Sequence, residues 1–182
     1  LMGTNWLFGA TVADTLGHWL PFYASVDKLV DGVITGEQRG WIGGGEGTVS
    51  NQLPAIADID MGTAQSVGFI RVLGWHGGTS LSAALSGTRN YRISVSEDGV
   101  EYYIIGKGEI AELDTTTWYG HRFKNRSVRF VRFYCDTHWT NVCALAEIEA
   151  YTLVESGPSS ELRISTTAEA NMIEPSCNSA RS

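Results

Sequence analysis

A period-two alternation of apolar and polar side chains runs through the middle of this chain and predicts β-structure. Residues 91–96 alternate in this way, as expected for a strand with one buried and one wet side. Asp98-Gly99 follows, a strong signal for a tight turn into a return strand that begins at Val100. The best helical candidate, 23–30, is only one or two turns long. The sequence therefore predicts an all-β protein.

Further strands are predicted at intervals of roughly 10–15 residues. Residues 57–61 alternate and end at Gly62, and two later runs, 67–73 and 128–135, are rich in β-branched and aromatic residues. A last strand is predicted over 144–154. The 21 glycines, against 4 prolines, supply the turns. This spacing predicts one antiparallel sandwich or jelly roll.

The composition changes after residue 154. Residues 156–160 read Ser-Gly-Pro-Ser-Ser, which is typical of a linker. Residues 169–182 contain too few apolar side chains to fold alone. We therefore predict a sandwich domain over 1–154, with its core at about 10–152, and a linker, tail or start of a further module over 155–182.

The charge pattern excludes some partners. The chain has 13 basic and 20 acidic residues, a net charge of −7, and no basic run. Because nucleic-acid binding depends on Lys and Arg against phosphate, we expect no nucleic acid. No apolar stretch reaches the length of about 18 residues that spans a membrane, and the negative charge disfavours docking on anionic lipid.

Catalytic motifs are missing from the sequence. It contains neither a Gly-x-Ser-x-Gly elbow nor a His-Glu-x-x-His motif, and the Gly-rich run 43–47 lacks the Lys-Ser/Thr of a phosphate loop. The four histidines have no metal-ligand spacing: His18, His76, His121 and His138. A glycosidase pair depends on a distance between carboxylates, which a sequence does not supply. We expect no enzymatic activity.

Two of the three cysteines, Cys135 and Cys143, flank the short polar segment 136–142. If the flanking strands form a hairpin, the two sulfurs can meet in a disulfide that stabilises by about 2–3 kcal/mol. Such a bond favours an oxidising compartment. The alternative is that both are small buried core residues. Cys177 lies in the polar tail, where we expect a free thiol.

Several motifs also occur together in a fixed order. They are Lys-Leu-Val-Asp-Gly at 28–32 followed by Trp41, Asp-Ile-Asp-Met-Gly at 58–62, the hairpin at 91–99, the strand at 127–133 and Ala-Glu-Ile-Glu-Ala-Tyr at 146–151. In this order they resemble the discoidin or coagulation factor 5/8 type C superfamily, and most of all its family 32 carbohydrate-binding modules. The resemblance implies a galactose-binding-like jelly roll of about eight strands without catalytic machinery. The cysteine pair that joins the ends of many animal discoidin domains is missing, which favours a microbial module.

The resemblance also implies a structural calcium ion. Calcium takes six to eight oxygen ligands, and a Gly-containing loop can aim several carbonyls at one point. The implied ligands are the carbonyls of Lys28, Val33, Gly36 (or Thr35) and Ala146 and the side chains of Asp31 and Glu147. Val33 stands where relatives often carry a polar side chain, so only its carbonyl is offered. The alternative is that Asp31 caps a turn.

The relatives bind sugars in loops at one end of the sandwich, through a His, an Arg, an Asn and an aromatic residue. Aromatic rings stack on sugar C–H faces, and the polar groups read hydroxyls. The implied ligand residues here are Trp75, His76, Arg89, Asn90, His138, Trp139 and Asn141. Each has an alternative: Trp75 can be core, His76 a solvated loop residue, and Arg89 the partner of an acid. We expect Trp41 to be a packing residue.

The function implied is that of a non-catalytic carbohydrate-binding module for exposed galactose-type or related sugars. We expect it to be extracellular or at the cell surface, attached to other modules of a larger protein. The alternative is a structural or adhesion module that binds a protein partner or self-assembles at a cell, virion or filament surface.

Overall fold

A computed structural model describes residues 3–14, 25–35, 40–43, 53–75, 87–139 and 143–154. The predicted tail, 155–182, lies outside these ranges. Seven strands and one short 3₁₀ helix occur within them, so the predicted all-β class is confirmed. They are β1 (Thr11–Asp14), the 3₁₀ helix (Val26–Val30), β2 (Trp41–Gly43), β3 (Ala55–Gly74), β4 (Asn90–Ser96), β5 (Tyr103–Glu109), β6 (Trp118–Cys135) and β7 (Cys143–Tyr151).

The strands pair antiparallel in the order β2-β7-β3-β6-β4-β5, and β1 pairs with β3. The two long strands, β3 and β6, run through both halves of the sandwich. In the first half, 55–60 of β3 pairs with 130–135 of β6, which also pairs with β4. In the second half, the later part of β3 pairs with the beginning of β6 and with β7. The register shifts between the halves.

The two halves face each other across an apolar core. The rings of Trp41 in β2 and Phe133 in β6 meet edge to face, with centroids 6.3 Å apart, and both side chains are fully buried. The indole N–H of Trp41 donates to Asp14 Oδ2 at 2.7 Å, which satisfies the polar atom of this buried ring. Trp41 is therefore a packing residue, as the sequence predicts.

Two predicted strands, 57–61 and 67–73, are a single strand in the structure. Ala57 and Ile59 point into the core, as their alternation predicts. Gly62 does not end the strand: its φ of 77° is open to glycine at little cost, and the register of β3 shifts here instead. The prediction that the strand ends at Gly62 is wrong.

The return strand of the predicted hairpin begins at Tyr103, later than Val100. One carboxylate oxygen of Asp98 accepts hydrogen bonds from the backbone N–H groups of Val100 and Glu101, at 2.8 and 3.0 Å. These bonds hold a wider turn, because they take the N–H groups that an earlier strand would use. Of the helical candidate 23–30, the structure describes residues 25–30, where it has the 3₁₀ helix Val26–Val30.

A disulfide joins Cys135 to Cys143, with Cα atoms 6.1 Å apart. The flanking strands do not form a hairpin with each other, because β6 and β7 lie on opposite sides of β3. The disulfide instead joins the first half of the sandwich to the second, and both cysteines are buried. Among the residues described, no helix has the length and apolar character needed to cross a membrane.

Candidate functional site

Two connecting segments meet at one end of the sandwich. Residues 87–90 lead into β4, and 136–139 follow β6. The backbone N–H of Arg89 donates to the Thr137 carbonyl at 2.8 Å, and that of Trp139 donates to the Gly87 carbonyl at 3.0 Å. The two segments therefore run side by side and bring together four predicted ligand residues: Arg89, Asn90, His138 and Trp139. His76 and Asn141 lie outside the described residues.

The indole of Trp139 is held in one orientation. Its Nε1–H donates to the carbonyl of Ile110 at 2.9 Å, and the Arg89 guanidinium lies over the ring, 4.5 Å from its centroid. Arg89 Nε is 3.4 Å from Glu109 Oε1, and both of these side chains are nearly half exposed. An ion pair this exposed is weak, so the pairing leaves the Arg89 guanidinium able to meet a ligand.

Asn90 is positioned by Thr137, which sequence reasoning missed because nothing distinguishes one threonine in a polar loop. The Thr137 hydroxyl donates to Asn90 Oδ1 at 2.8 Å and accepts from the Asn90 backbone N–H at 3.1 Å. Within the described part of the chain, no hydrogen bond engages the Nδ2 amide of Asn90. That amide is a donor whose orientation is fixed by Thr137.

His138 contributes two ring nitrogens. Both are buried, and neither has a hydrogen-bond partner among the described residues. A buried polar atom without a partner costs about 1–3 kcal/mol. Because both nitrogens are buried, a direct contact between His138 and a ligand stays a prediction.

Trp75 is not part of this surface. Its side chain is only 4% exposed and packs in a cluster with Ile42, Leu73 and Ala144. A Cβ atom at Gly40 would lie 2.6 Å from the indole, so the backbone passes directly against the ring. The prediction that Trp75 forms a ligand platform is wrong, because the sheet continues through Gly74 and buries the next side chain.

The predicted calcium ligands lie elsewhere, where the loop after the 3₁₀ helix meets β7. Asp31 Oδ1 accepts from the Val33 backbone N–H at 2.9 Å, and its Oδ2 is 3.3 Å from Lys28 Nζ. Glu147 Oε2 accepts from the Gly32 backbone N–H at 3.2 Å, which joins β7 to this loop. Gly36 lies outside the described residues.

Glu147 is the unusual group of this region. Its side chain is 0% exposed, and its Oε1 has no hydrogen-bond partner among the residues that the structure describes. Burial, and then the negative charge of Asp31, raise the pKa of Glu147 to about 9. A buried acid under the influence of a second, partly exposed acid is an arrangement that a cation would stabilise.

A cation at Glu147 would need backbone oxygen atoms as well. Within the described ranges, no group of three or more His, Cys, Asp and Glu side chains is arranged to hold a metal ion. Carbonyls such as those of Lys28, Val33 and Ala146 would therefore complete an oxygen-rich site. Such a donor set suits Ca²⁺, which accepts carbonyl and carboxylate oxygens in flexible geometry.

Comparisons with known proteins give matches at the level of structure. No family model matches the sequence, and no curated protein sequence does. The family 32 module of NanJ from Clostridium perfringens, solved with galactose, has 17% identity and a TM-score of 0.61 over 79% of this chain and 93% of that module.

Two further solved modules match equally well. CpGH89CBM32-5 of Clostridium perfringens, solved with GalNAc-β-1,3-galactose, has 16% identity and a TM-score of 0.62 over 79% of this chain and 96% of that one. Chitosan-binding module 2 of a Paenibacillus sp. IK-5 chitosanase/glucanase, solved with chitotriose, has 19% identity and a TM-score of 0.61 over 81% and 99%. The chain therefore has the galactose-binding-like β-sandwich fold of these carbohydrate-binding modules.

Proposed function

We propose that this protein is a non-catalytic carbohydrate-binding module whose ligand site is formed by segments 87–90 and 136–139. One observation carries the proposal. The Arg89–Trp139 stack lies on the same pair of segments as the Asn90 amide. A flat ring surface beside a few fixed polar groups is what sugar recognition requires.

Each residue has a distinct role in this proposal. The stacked Arg89 and Trp139 form a wall against the C–H face of a sugar ring. The Asn90 Nδ2 group donates to a hydroxyl. Both ring nitrogens of His138 are buried in this structure, so the proposal gives His138 no direct hydrogen bond to the sugar. Galactose-type sugars are the proposed ligands, supported by the galactose and GalNAc-β-1,3-galactose bound in two modules of the same fold.

We also propose a structural Ca²⁺ ion held by Asp31, Glu147 and carbonyls of Lys28, Val33, Ala146 and Gly36. The unpartnered Oε1 of Glu147 supports this assignment. The ion would neutralise two acids and tie the N-terminal loop to β7. It takes no part in sugar recognition in this proposal.

An exported protein is the proposed context. The disulfide supports an oxidising compartment, because such bonds are rare in the cytosol. As a module of a larger protein, the domain would hold a partner module near its polysaccharide substrate.

The proposal is tested by screening the full chain on a glycan array with Ca²⁺ and measuring each binder by calorimetry. Trp139→Ala should weaken binding about thirtyfold, because truncating a central aromatic contact costs about 2 kcal/mol. Tyr103→Ala is the matched control, since it removes an exposed ring from the other end of β4–β5.

Two outcomes would count against sugar binding. An equal loss of sugar affinity in Trp139→Ala and Tyr103→Ala would show that Trp139 has no specific role in binding. Failure of the folded wild type to bind any glycan would overturn the function. Sedimentation of that protein as an oligomer would then favour the structural or adhesion alternative. The first surface to mutate would be the exposed Ile104 of edge strand β5 together with the exposed Val100 in the turn before it.

A further inference from the structure

Two cations face each other across the β4–β5 pair. Arg92 and Lys107 are direct register partners, so their side chains leave the same side of the sheet. Like charges directly opposite each other destabilise a strand pair. Asp136 accepts two hydrogen bonds from Arg92, both of 2.7 Å, and so neutralises one of the two cations. Three charged side chains thus leave one positive charge in excess.

The positive charge in excess belongs to Lys107. Its side chain is exposed, and no hydrogen bond or ion pair engages its Nζ within the described residues. Arg92 is fixed by its fork on Asp136 and by the ring of Tyr134, 4.3 Å below the guanidinium. The chain as a whole has a net charge of −7, so this local excess runs against the general charge of the protein.

These side chains surround a hollow beside the candidate sugar site. Its volume is about 400 Å³, and it is lined by Asn90, Tyr91, Arg92, Lys107, Gly108 and Asp136. Asn90 is common to the hollow and to the loop pair that carries Arg89, His138 and Trp139. A ligand held by that loop pair can therefore extend into the hollow without leaving the surface.

We infer that this hollow is an anion subsite, which binds a carboxylate or sulfate group of a sugar. The Lys107 ammonium supplies the charge, and the part of the Arg92 guanidinium not used by Asp136 supplies oriented donors. The inference deepens the proposed function and rests on it in one respect: the anionic group is taken to belong to the same glycan. The ligand class is then an acidic polysaccharide.

The test is a ¹⁵N NMR titration of the full chain with three probes. Methyl galactoside is neutral, methyl galacturonoside carries a carboxylate, and galactose 6-sulfate carries a sulfate. The anionic probes should shift the amides of Lys107 and Gly108 and the Nε–H of Arg92, and methyl galactoside should not. The stronger of the two anionic probes identifies the acid group.

Two variants remove the same charge from different places. Lys107→Gln should weaken binding of the anionic probes by roughly three- to tenfold and leave methyl galactoside unchanged. Lys124→Gln is the matched control, an exposed lysine of β6 outside the hollow. About 1 M salt should abolish the preference, because it shortens the screening length to about 3 Å.

The failures are distinguishable. Anionic shifts at Lys107 without binding of methyl galactoside support the subsite and count against a galactose-type site at the loop pair. Equal binding of all three probes keeps the proposed function and overturns the subsite. Equal effects of both lysine variants, or no shift in the hollow with any probe, also overturn it.

Discussion

The Tyr91 hydroxyl lies 2.8 Å from Nε2 of His121, and this contact joins β4 to the beginning of β6. Strand β5 passes directly over the pair. A Cβ atom at Gly108 would lie 2.7 Å from the Tyr91 hydroxyl, and one at Gly106 would collide with the His121 ring. The two glycines therefore allow β5 to cover a polar pair inside the sandwich.

We predict that His121 makes stability depend on pH in mildly acidic solution. Burial lowers the pKa of His121, so the folded state binds the proton less tightly than the unfolded chain does. Stability from this group is complete above about pH 6.5, the unfolded value, and is lost as the pH falls below it. Urea unfolding at pH 7.5 and pH 5 should show the difference, and His121→Phe should reduce it. An unchanged pH slope in His121→Phe would contradict the assignment.

Glu147 should respond to pH in the opposite direction. Its pKa is raised from 4.5 to about 9, so the folded state holds its proton more tightly and stability falls as the pH rises through this interval. In EDTA, Glu147→Gln should therefore be more stable than the wild type at pH 9 and differ little at pH 5. A wild type that does not lose stability relative to Glu147→Gln between these pH values would contradict the prediction.

Calcium should stabilise the wild type and release a proton as it binds, because the ion requires the ionised Glu147. A free concentration of 100 times the Kd contributes about 2.7 kcal/mol. The gain in Tm should be larger at pH 8 than at pH 6 and should be lost in Glu147→Gln. Glu112→Gln, an exposed acid outside this region, is the control and should keep the gain. The same gain in both variants would place the ion elsewhere.

Removing the disulfide should cost about 2.5 kcal/mol, as expected for a closed loop with a sequence separation of 8. Cys135→Ser with Cys143→Ser should also weaken sugar binding, because the bond closes the loop that carries His138 and Trp139. Urea unfolding and calorimetry measure the two effects. Cys177→Ser is the control for loss of a thiol. An unchanged sugar affinity in the double variant would show that the disulfide does not support the binding site.

The two tryptophans of the site prediction should behave differently. Trp75→Ala should cost about 3–5 kcal/mol of folding stability, because the indole is buried in the core. Trp139→Ala should cost far less stability and should lower sugar affinity. Thermal unfolding and calorimetry on both variants check this. A stable Trp75→Ala that fails to bind sugar would return Trp75 to the ligand site.

The elements that the sequence predicts well are those whose information is local. The alternation at 91–96 indicates both a strand and its buried side, and the structure has β4 there with Ile93 and Val95 in the core. The turn after it is predicted in place but not in length, since its width depends on the hydrogen bonds of Asp98.

The site is predicted less completely because it depends on contacts between distant segments. Pattern alone does not show that β3 continues through Gly74 and that the side chain of Trp75, which follows it, is buried. The sequence does not show that Lys107 lies opposite Arg92, because that pairing depends on the strand register. The sequence argument for the disulfide depends on a hairpin between the strands that flank it, and the structure has no such hairpin. The length of a loop does not show that a third strand, here β3, lies between the two strands that it connects.

Because β3 and β6 each pass through both halves, the two layers of the sandwich share the same pair of hydrogen-bonded strands. Neither layer is therefore a separate folding unit. The register shift after Asp60 marks where the paired strands pass from one layer to the other. A force applied along either strand is therefore shared by both layers. Under the proposed function, a load applied through an attached module would reach segments 87–90 and 136–139 through the continuous backbone of these strands.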